Sequence, residues 1–145
     1  MPRVLLIDDT PEIAELLTFA LRDRGYQVHA TGYDTAINEL VRAHRPAVVV
    51  LDCSVYSMSE ALFDSLRADD EHTDLPVIIV SDTPEKADDS LRRRDAQHVL
   101  LIPKPFTGGQ IARALTQLLD RGGDKENGNG GDGGNGRTQR NGGTE

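Results

Sequence analysis

Three carboxylates, one hydroxyl and one ammonium group follow short apolar segments of this chain. In chain order these residues are Asp8, Asp9, Asp52, Ser81 and Lys104. If the segments are parallel strands, their carboxyl ends lie at one edge of a sheet, and these side chains lie together there. Clustered carboxylates repel one another unless a cation neutralises them, and Mg²⁺ prefers such oxygen ligands. The pattern predicts a magnesium site where Asp52 accepts a phosphoryl group, aided by Ser81 and Lys104.

The elements that must position these residues are five apolar segments, which predict strands. They cover residues 4–7, 27–30, 47–51, 76–80 and 99–102. Three are continuous runs of Val, Ile and Leu, a composition typical of parallel strands covered by helices on both faces. In the second, Gln27 and His29 alternate with Val28 and Ala30, which predicts an edge strand.

Helical patterns separate the strands. The first predicted helix carries an apolar stripe formed by Ile13, Leu16, Leu17, Ala20 and Leu21. Thr10 is its predicted N-cap, Pro11 its first residue, and Gly25 its left-handed end. The last helix starts with the capping-box pair Thr107 and Gln110. Residues 34–44, 59–68 and 84–94 complete the set, and the alternation predicts a doubly wound α/β sheet.

Composition divides the chain into a domain, residues 1–121, and a tail, residues 122–145. Ten of the 14 glycines lie in the tail, which has no aliphatic or aromatic residue, so we predict that it is disordered. The net charge of −8 argues against direct nucleic-acid binding. No apolar stretch is long enough to insert into a membrane, and a single cysteine, Cys53, suits a cytoplasmic location.

The strand ends resemble the four signatures of bacterial response-regulator receiver domains. These are Val4-Leu5-Leu6-Ile7-Asp8-Asp9, Val48-Val49-Val50-Leu51-Asp52, Val80-Ser81 and Lys104-Pro105-Phe106. They occur in order and with suitable spacing across residues 3–120. The resemblance implies a flavodoxin-like five-stranded parallel sheet, order 2-1-3-4-5, with helices on both faces. It also implies a single-domain, chemotaxis-regulator-like response regulator.

The resemblance assigns a role to each site residue. Asp52 is the implied phosphoacceptor. Asp8, Asp9 and Asp52 are the implied Mg²⁺ ligands, together with the backbone carbonyl of Ser54. Ser81 is expected to contact one phosphoryl oxygen and Lys104 another, and the bond from Lys104 to proline is expected to be cis.

The resemblance also implies the partners. A sensor histidine kinase or a histidine phosphotransfer protein would supply the phosphoryl group. The implied output is contact with a downstream protein, through the face formed by the fourth helix, fifth strand and fifth helix. The only implied catalysis is the domain's own Mg²⁺-dependent phosphorylation and dephosphorylation, with Ser54 and Thr83 as candidates for tuning the lifetime. Arg92-Arg93-Arg94 is a candidate docking segment.

Four residues depart from the family pattern. Tyr56 and Glu60 replace a proline and a glycine after the acceptor, and Asp82 replaces a small residue after Ser81. Leu101 stands where the family has the aromatic residue that moves inward on activation. These departures leave open a second interpretation, an atypical receiver that acts as a phosphorylation-independent interaction module.

Two other classes that share aspartyl chemistry or strand order fit the residues less well. A haloacid-dehalogenase phosphatase needs Asp-x-Asp after its first strand, where this chain has Asp8-Asp9-Thr10. A flavodoxin needs a hydroxyl- and glycine-rich phosphate loop at the same point. The acidic sequence here would repel the phosphate of FMN.

Overall fold

A parallel five-stranded sheet forms the centre of the domain. The computed structural model describes residues 2–127, with side chains to residue 119. The strands are β1 (Arg3–Asp8), β2 (Gln27–Thr31), β3 (Val48–Asp52), β4 (Val77–Ser81) and β5 (Val99–Pro103). Their order is β2-β1-β3-β4-β5 and all pairs are parallel, which confirms the predicted topology and places β2 at an edge.

The central strands are buried on both faces. Every residue of β3 and β4 is buried, as their continuous apolar sequences predict. Because successive side chains point to opposite faces, alternate residues pack against different layers. One core cluster joins Leu5, Val49 and Ile79 of the sheet to Ile37 and Leu66 of the covering helices.

Five α-helices and one 3₁₀ turn connect or follow the strands. They are α1 (Pro11–Asp23), α2 (Ile37–His44), α3 (Tyr56–Ala68), the 3₁₀ turn Asp70–His72, α4 (Pro84–Arg93) and α5 (Gly108–Asn127). The predicted helices are all present, but α3 begins at residue 56, three residues before the predicted start. The first turn of α3 is therefore closer to Asp52 than expected.

The helix caps agree with the sequence in two places and differ in one. Gly25 has φ +93° after α1, as predicted. At α5 the capping box forms: the Thr107 N–H donates to Gln110 Oε1 at 2.7 Å, and the Gln110 N–H donates to Thr107 Oγ1 at 3.2 Å. Thr10 is the extended N-cap of α1, but its side chain forms no capping hydrogen bond.

The predicted apolar stripe of α1 is wrong at one residue. Leu17 and Leu21 are buried, but Leu16 is 68% exposed and its neighbour Phe19 is 75% exposed. Consecutive residues point about 100° apart around a helix, so the face centred on Leu17 and Leu21 turns Leu16 away from the sheet.

The predicted domain boundary falls inside α5. One compact unit ends at Leu115, and a second begins at Thr116. The helix continues to Asn127, past the predicted boundary at residue 121. Residues 128–145, which form most of the predicted disordered tail, lie outside the described residues. Among the described residues, no helix is long and apolar enough to span a membrane.

Candidate functional site

Asp8, Asp52 and Lys104 meet at the carboxyl edge of the sheet. Parallel pairing of β1 and β3 aligns Asp8 with Asp52, and these two residues are only 4% and 1% exposed. Lys104 follows β5, and its Nζ lies 2.7 Å from Asp52 Oδ1. The backbone N–H of Lys104 also donates to the Ser81 carbonyl at 2.8 Å, which links the ends of β4 and β5.

The position of Asp8 beside Asp52 perturbs its carboxyl group. Burial raises the pKa of Asp8 to about 7, against the opposing hydrogen bond from the Thr10 N–H, and the charge of Asp52 adds to the increase. That hydrogen bond joins the Thr10 N–H to Asp8 Oδ1 at 2.8 Å. Two buried carboxylates side by side cannot both ionise freely unless a positive charge lies between them.

Asp9 is held by the loop that follows β3. Its carboxylate accepts hydrogen bonds from the Ser54 N–H at 3.0 and 3.1 Å and from the Ser54 hydroxyl at 2.5 Å. Burial acts to raise the pKa of Asp9, but the hydrogen bonds from Ser54 outweigh it, and the pKa lies below its usual value. Asp9 is therefore the ionised carboxylate at the outer side of the site.

Ser81 and Lys104 complete the site from β4 and β5. Ser81 is 3% exposed, and its Oγ accepts a hydrogen bond from the Thr83 N–H at 3.0 Å. Burial alone would lower the pKa of Lys104, but its hydrogen bond to Asp52 and the charges of Asp52, Asp82 and Asp8 raise it. The ammonium group is therefore charged and faces three acidic residues. The bond from Lys104 to Pro105 is cis, as predicted.

The carboxylate oxygens fit a hard divalent cation. Among the described residues, Oδ2 of Asp8 and Oδ2 of Asp52 are buried without a hydrogen-bond partner. Buried carboxylate oxygens are costly to leave unpaired, so they indicate a missing ligand. Mg²⁺ takes oxygen ligands of this kind, with carboxylates and water around it. Asp8 and Asp52 offer two such carboxylates at aligned strand ends, while the Asp9 carboxylate is held by Ser54.

Two of the departures from the family pattern join α3 to α4, an arrangement that the sequence did not reveal. Glu60 accepts hydrogen bonds from the Ser90 hydroxyl and from Arg94 Nη1 at 3.3 Å. Arg94 also forms a double contact with Asp64, Nε to Oδ1 at 2.8 Å and Nη2 to Oδ2 at 3.0 Å. The Tyr56 hydroxyl lies 3.5 Å from the carbonyl of Ala87 in α4. In the sequence, the one sign of this contact is Glu60, which stands where the family pattern has glycine.

All three arginines of the candidate docking segment already have carboxylate partners. Arg92 pairs with Asp88, and Arg93 Nη1 lies 2.6 Å from Asp89 Oδ2. Arg94 belongs to the contact with α3 described above. Their charges are therefore matched within the domain, and the docking role stays a prediction.

A second group of potential metal ligands lies beside α2. Asp69, Glu71 and His72 place one ligand atom each within 4.8 Å of the others. Arg42 already pairs with both carboxylates, with its Nε 3.1 Å from Glu71 Oε1. His72 Nδ1 lies 2.7 Å from Asn38 Oδ1. Because a guanidinium group already neutralises these acids, we assign no metal to them.

Comparison with known proteins identifies the class that this fold and site define. The response regulator receiver domain family matches residues 4–116, and the chain belongs to that family. The probable transcriptional regulatory protein TcrX of Mycobacterium tuberculosis is 31% identical over 119 residues, which cover 81% of this chain and 50% of that protein. The chain thus spans about half the length of the curated relatives that it matches.

Solved structures of low sequence identity share the fold. A sensor protein from Polaromonas sp. JS666 superposes with a TM-score of 0.73 at 23% identity, covering 83% of this chain and 97% of that chain. The receiver domain of a sensor histidine kinase from Pseudomonas aeruginosa, with a magnesium ion coordinated in its active-site cleft, gives a TM-score of 0.63 at 21% identity. It covers 82% of this chain and 98% of that chain.

Proposed function

We propose that this receiver domain is a switch controlled by phosphorylation of Asp52. The observation that carries the proposal is the buried Asp52 carboxylate, 2.7 Å from Lys104 Nζ and aligned with Asp8. An isolated buried carboxylate would lower stability, whereas one placed between an ammonium group and cation ligands is suited to accept a phosphoryl group.

The residues around Asp52 would hold a Mg²⁺ ion. Asp8, Asp9 and Asp52 are the proposed side-chain ligands, and the backbone carbonyl of Ser54 is the fourth protein ligand. When bound, the ion would neutralise negative charge on the acceptor and the incoming phosphoryl group. The orphaned oxygens of Asp8 and Asp52 support this assignment, as does the magnesium in the Pseudomonas aeruginosa receiver domain.

The transfer step follows from the positions of the side chains. An Asp52 oxygen attacks phosphorus while the bond from phosphorus to the donor's imidazole nitrogen breaks, and that nitrogen keeps the bonding electron pair. Lys104 then exchanges its contact with Asp52 for a phosphoryl oxygen. The Ser81 hydroxyl, whose oxygen already accepts from the Thr83 N–H, directs its own proton to another phosphoryl oxygen.

Asp9 and Ser54 must separate for the site to load. The Ser54 hydroxyl and N–H now use the Asp9 oxygens that a cation would need. Release of Asp9 from Ser54 would move the loop after β3, which leads directly into α3. Through Glu60 and Arg94 this movement would reach α4, in place of the relay that Leu101 cannot provide.

The partners follow from this chemistry. We propose that residues 1–121 form the receiver domain of a cytoplasmic protein. A sensor histidine kinase or histidine phosphotransfer protein would donate the phosphoryl group, and the receiver domain would signal by contact with a downstream protein. Phosphorylation and dephosphorylation of Asp52 would be the only catalysis.

Phosphate-affinity gel electrophoresis tests the proposal. The protein and its Asp52→Asn variant are incubated with acetyl phosphate, with and without Mg²⁺. We expect a retarded band that requires both Mg²⁺ and Asp52. Asp70→Asn is the matched control, because Asp70 is an exposed carboxylate away from the sheet edge, and it should behave as the parent.

A second function is favoured by Asp82. Its charge reaches Lys104 and would oppose a dianionic phosphoryl group at the same site. If folded parent protein gives no retarded band, the domain acts instead as a phosphorylation-independent interaction module, and Asp82→Ala would be expected to restore phosphorylation.

A further inference from the structure

The amino edge of the sheet carries a basic cleft at the opposite end of the strands from Asp52. Two adjoining cavities lie between β1, β2 and the end of α2, and the inner one has a volume of about 350 Å³. The residues that matter here are Arg3, Gln27, His29, His44, Arg45 and Pro46. β1 runs from Arg3 at this cleft to Asp8 at the acidic site, so the two sites are separated by the length of a strand.

The cleft is positively charged in a strongly acidic protein. Arg3 and Arg45 line it with two imidazoles, and within residues 2–127 no carboxylate lines either cavity, although the whole chain carries −8. Arg3 donates only to neutral acceptors, Gln27 Oε1 at 3.4 Å and the His44 carbonyl at 3.2 Å. Among the described residues, the Arg45 guanidinium has neither a hydrogen bond nor an ion pair. The arginines of α4, in contrast, are matched with carboxylates.

Arg45 is an uncommon residue for its backbone conformation. It ends α2 in the left-handed region, at φ +48° and ψ +58°, where glycine is favoured and a side chain causes strain. Strained backbone positions are concentrated at functional sites, because the surrounding structure must enforce them. The fold therefore holds Arg45 beside the cleft in a backbone conformation that the surrounding structure must enforce.

The two imidazoles are stacked beside the arginines. The His29 and His44 ring centroids are 3.7 Å apart, and the rings are inclined by 22°. Burial lowers the pKa of His29, and the neighbouring charge of His44 lowers it further. The lowered pKa keeps the His29 ring neutral near pH 7, and an anion in the cleft would favour its charged form.

We propose that this cleft binds the phosphoryl group of a small anionic ligand, through the guanidinium groups of Arg3 and Arg45 and the imidazoles of His29 and His44. Guanidinium groups match the oxygens of a phosphoryl group with paired hydrogen bonds, and several cationic groups around one cavity favour a multivalent anion. A neighbouring cavity that Arg45 also lines contains Glu71, whose carboxylate is already paired with Arg42 Nε at 3.1 Å.

The test is a titration of the full chain with inorganic pyrophosphate, followed by NMR of the histidine side chains. Buffer with EDTA and constant ionic strength leaves the acidic site without cation, where its carboxylates repel the probe. The four histidines make the measurement internally controlled. We expect saturable shifts at His29 and His44 and none at His98, which lines neither of the two cavities of the cleft.

Two glycine variants separate binding from folding. Arg45→Gly removes a proposed ligand and also relieves the left-handed strain, so it should bind pyrophosphate about tenfold more weakly or worse while unfolding at a temperature no lower than the parent. Asp95→Gly is the matched control, because Asp95 also has a left-handed backbone, with φ +49°, but does not line the cleft. It should bind pyrophosphate as the parent does.

The same variants distinguish a soluble ligand from a lipid headgroup. Flotation with vesicles that contain phosphatidic acid is the second arm. Flotation that Arg45→Gly abolishes would identify a headgroup as the source of the phosphoryl group, and pyrophosphate binding without flotation would identify a soluble ligand. The proposal is overturned if neither probe binds, or if Arg45→Gly binds as tightly as the parent.

Discussion

Replacing Asp8 by asparagine should stabilise the domain when Mg²⁺ is absent. Asp8 is buried, and its pKa rises from an ordinary 3.8 to about 7. At roughly 1.4 kcal/mol per pKa unit, that difference means that ionised Asp8 lowers the free energy of unfolding by at most about 4 kcal/mol. Relaxation of the site reduces the effect, and we expect a gain of about 2 kcal/mol.

The sign of this effect depends on pH. Between its unfolded and folded pKa values the Asp8 carboxyl binds more protons in the folded state, so its contribution to stability is lost as pH rises through this range. The advantage of Asp8→Asn should therefore be small near pH 4, grow as the pH increases, and become constant above about pH 7.

Urea unfolding in EDTA, at about pH 5.5 and about pH 8, measures the effect. Asp9→Asn is the matched control, because the pKa of Asp9 is lowered by its hydrogen bonds to Ser54, and its replacement should not stabilise the domain. Added Mg²⁺ should stabilise the parent more than Asp8→Asn. A variant that is no more stable than the parent at the higher pH would refute the electrostatic account of this site.

Three further substitutions test other parts of the structure. Gly108→Ala should lower stability by about 1–3 kcal/mol in urea unfolding, because the added Cβ would lie 2.7 Å from Ala20 Cβ. Gly109→Ala should not lower it, because the Cβ added there would lie 3.6 Å from its nearest neighbour. Arg94→Met should lower the free energy of unfolding by about 1 kcal/mol, because it removes the contacts with α3, whereas Arg93→Met should leave it nearly unchanged. Urea unfolding midpoints measure both, and equal losses of stability would contradict the proposed link between α3 and α4. Lys104→Met should bind Mg²⁺ at least as tightly as the parent in calorimetry, because the ammonium group that competes for Asp52 is lost. The same variant should give no retarded band with acetyl phosphate. Retained phosphorylation would exclude the role proposed for Lys104.

Local patterns in the sequence predicted most of the fold. Continuous runs of Val, Ile and Leu identified the buried strands, and the residue after each run marked the edge where the acidic residues collect. The capping pair Thr107 and Gln110 and the left-handed Gly25 also followed from residue type and spacing. Each of these features depends on neighbours within a few positions, so the chain itself contains the necessary information.

Contacts between distant segments could not be predicted in this way. The exposure of Leu16 depends on how α1 is rotated against the sheet, and the increase in the pKa of Asp8 depends first on how deeply Asp8 is buried and then on the charge of Asp52. The link from Glu60 to Arg94 joins residues 34 positions apart. Such pairings depend on the relative placement of whole helices and strands, which side-chain packing decides only when the domain has folded. The sequence by itself thus indicated which polar residues follow the strands, and the tertiary structure decided the pKa shifts of Asp8, Asp9 and Lys104 and the contact that joins α3 to α4.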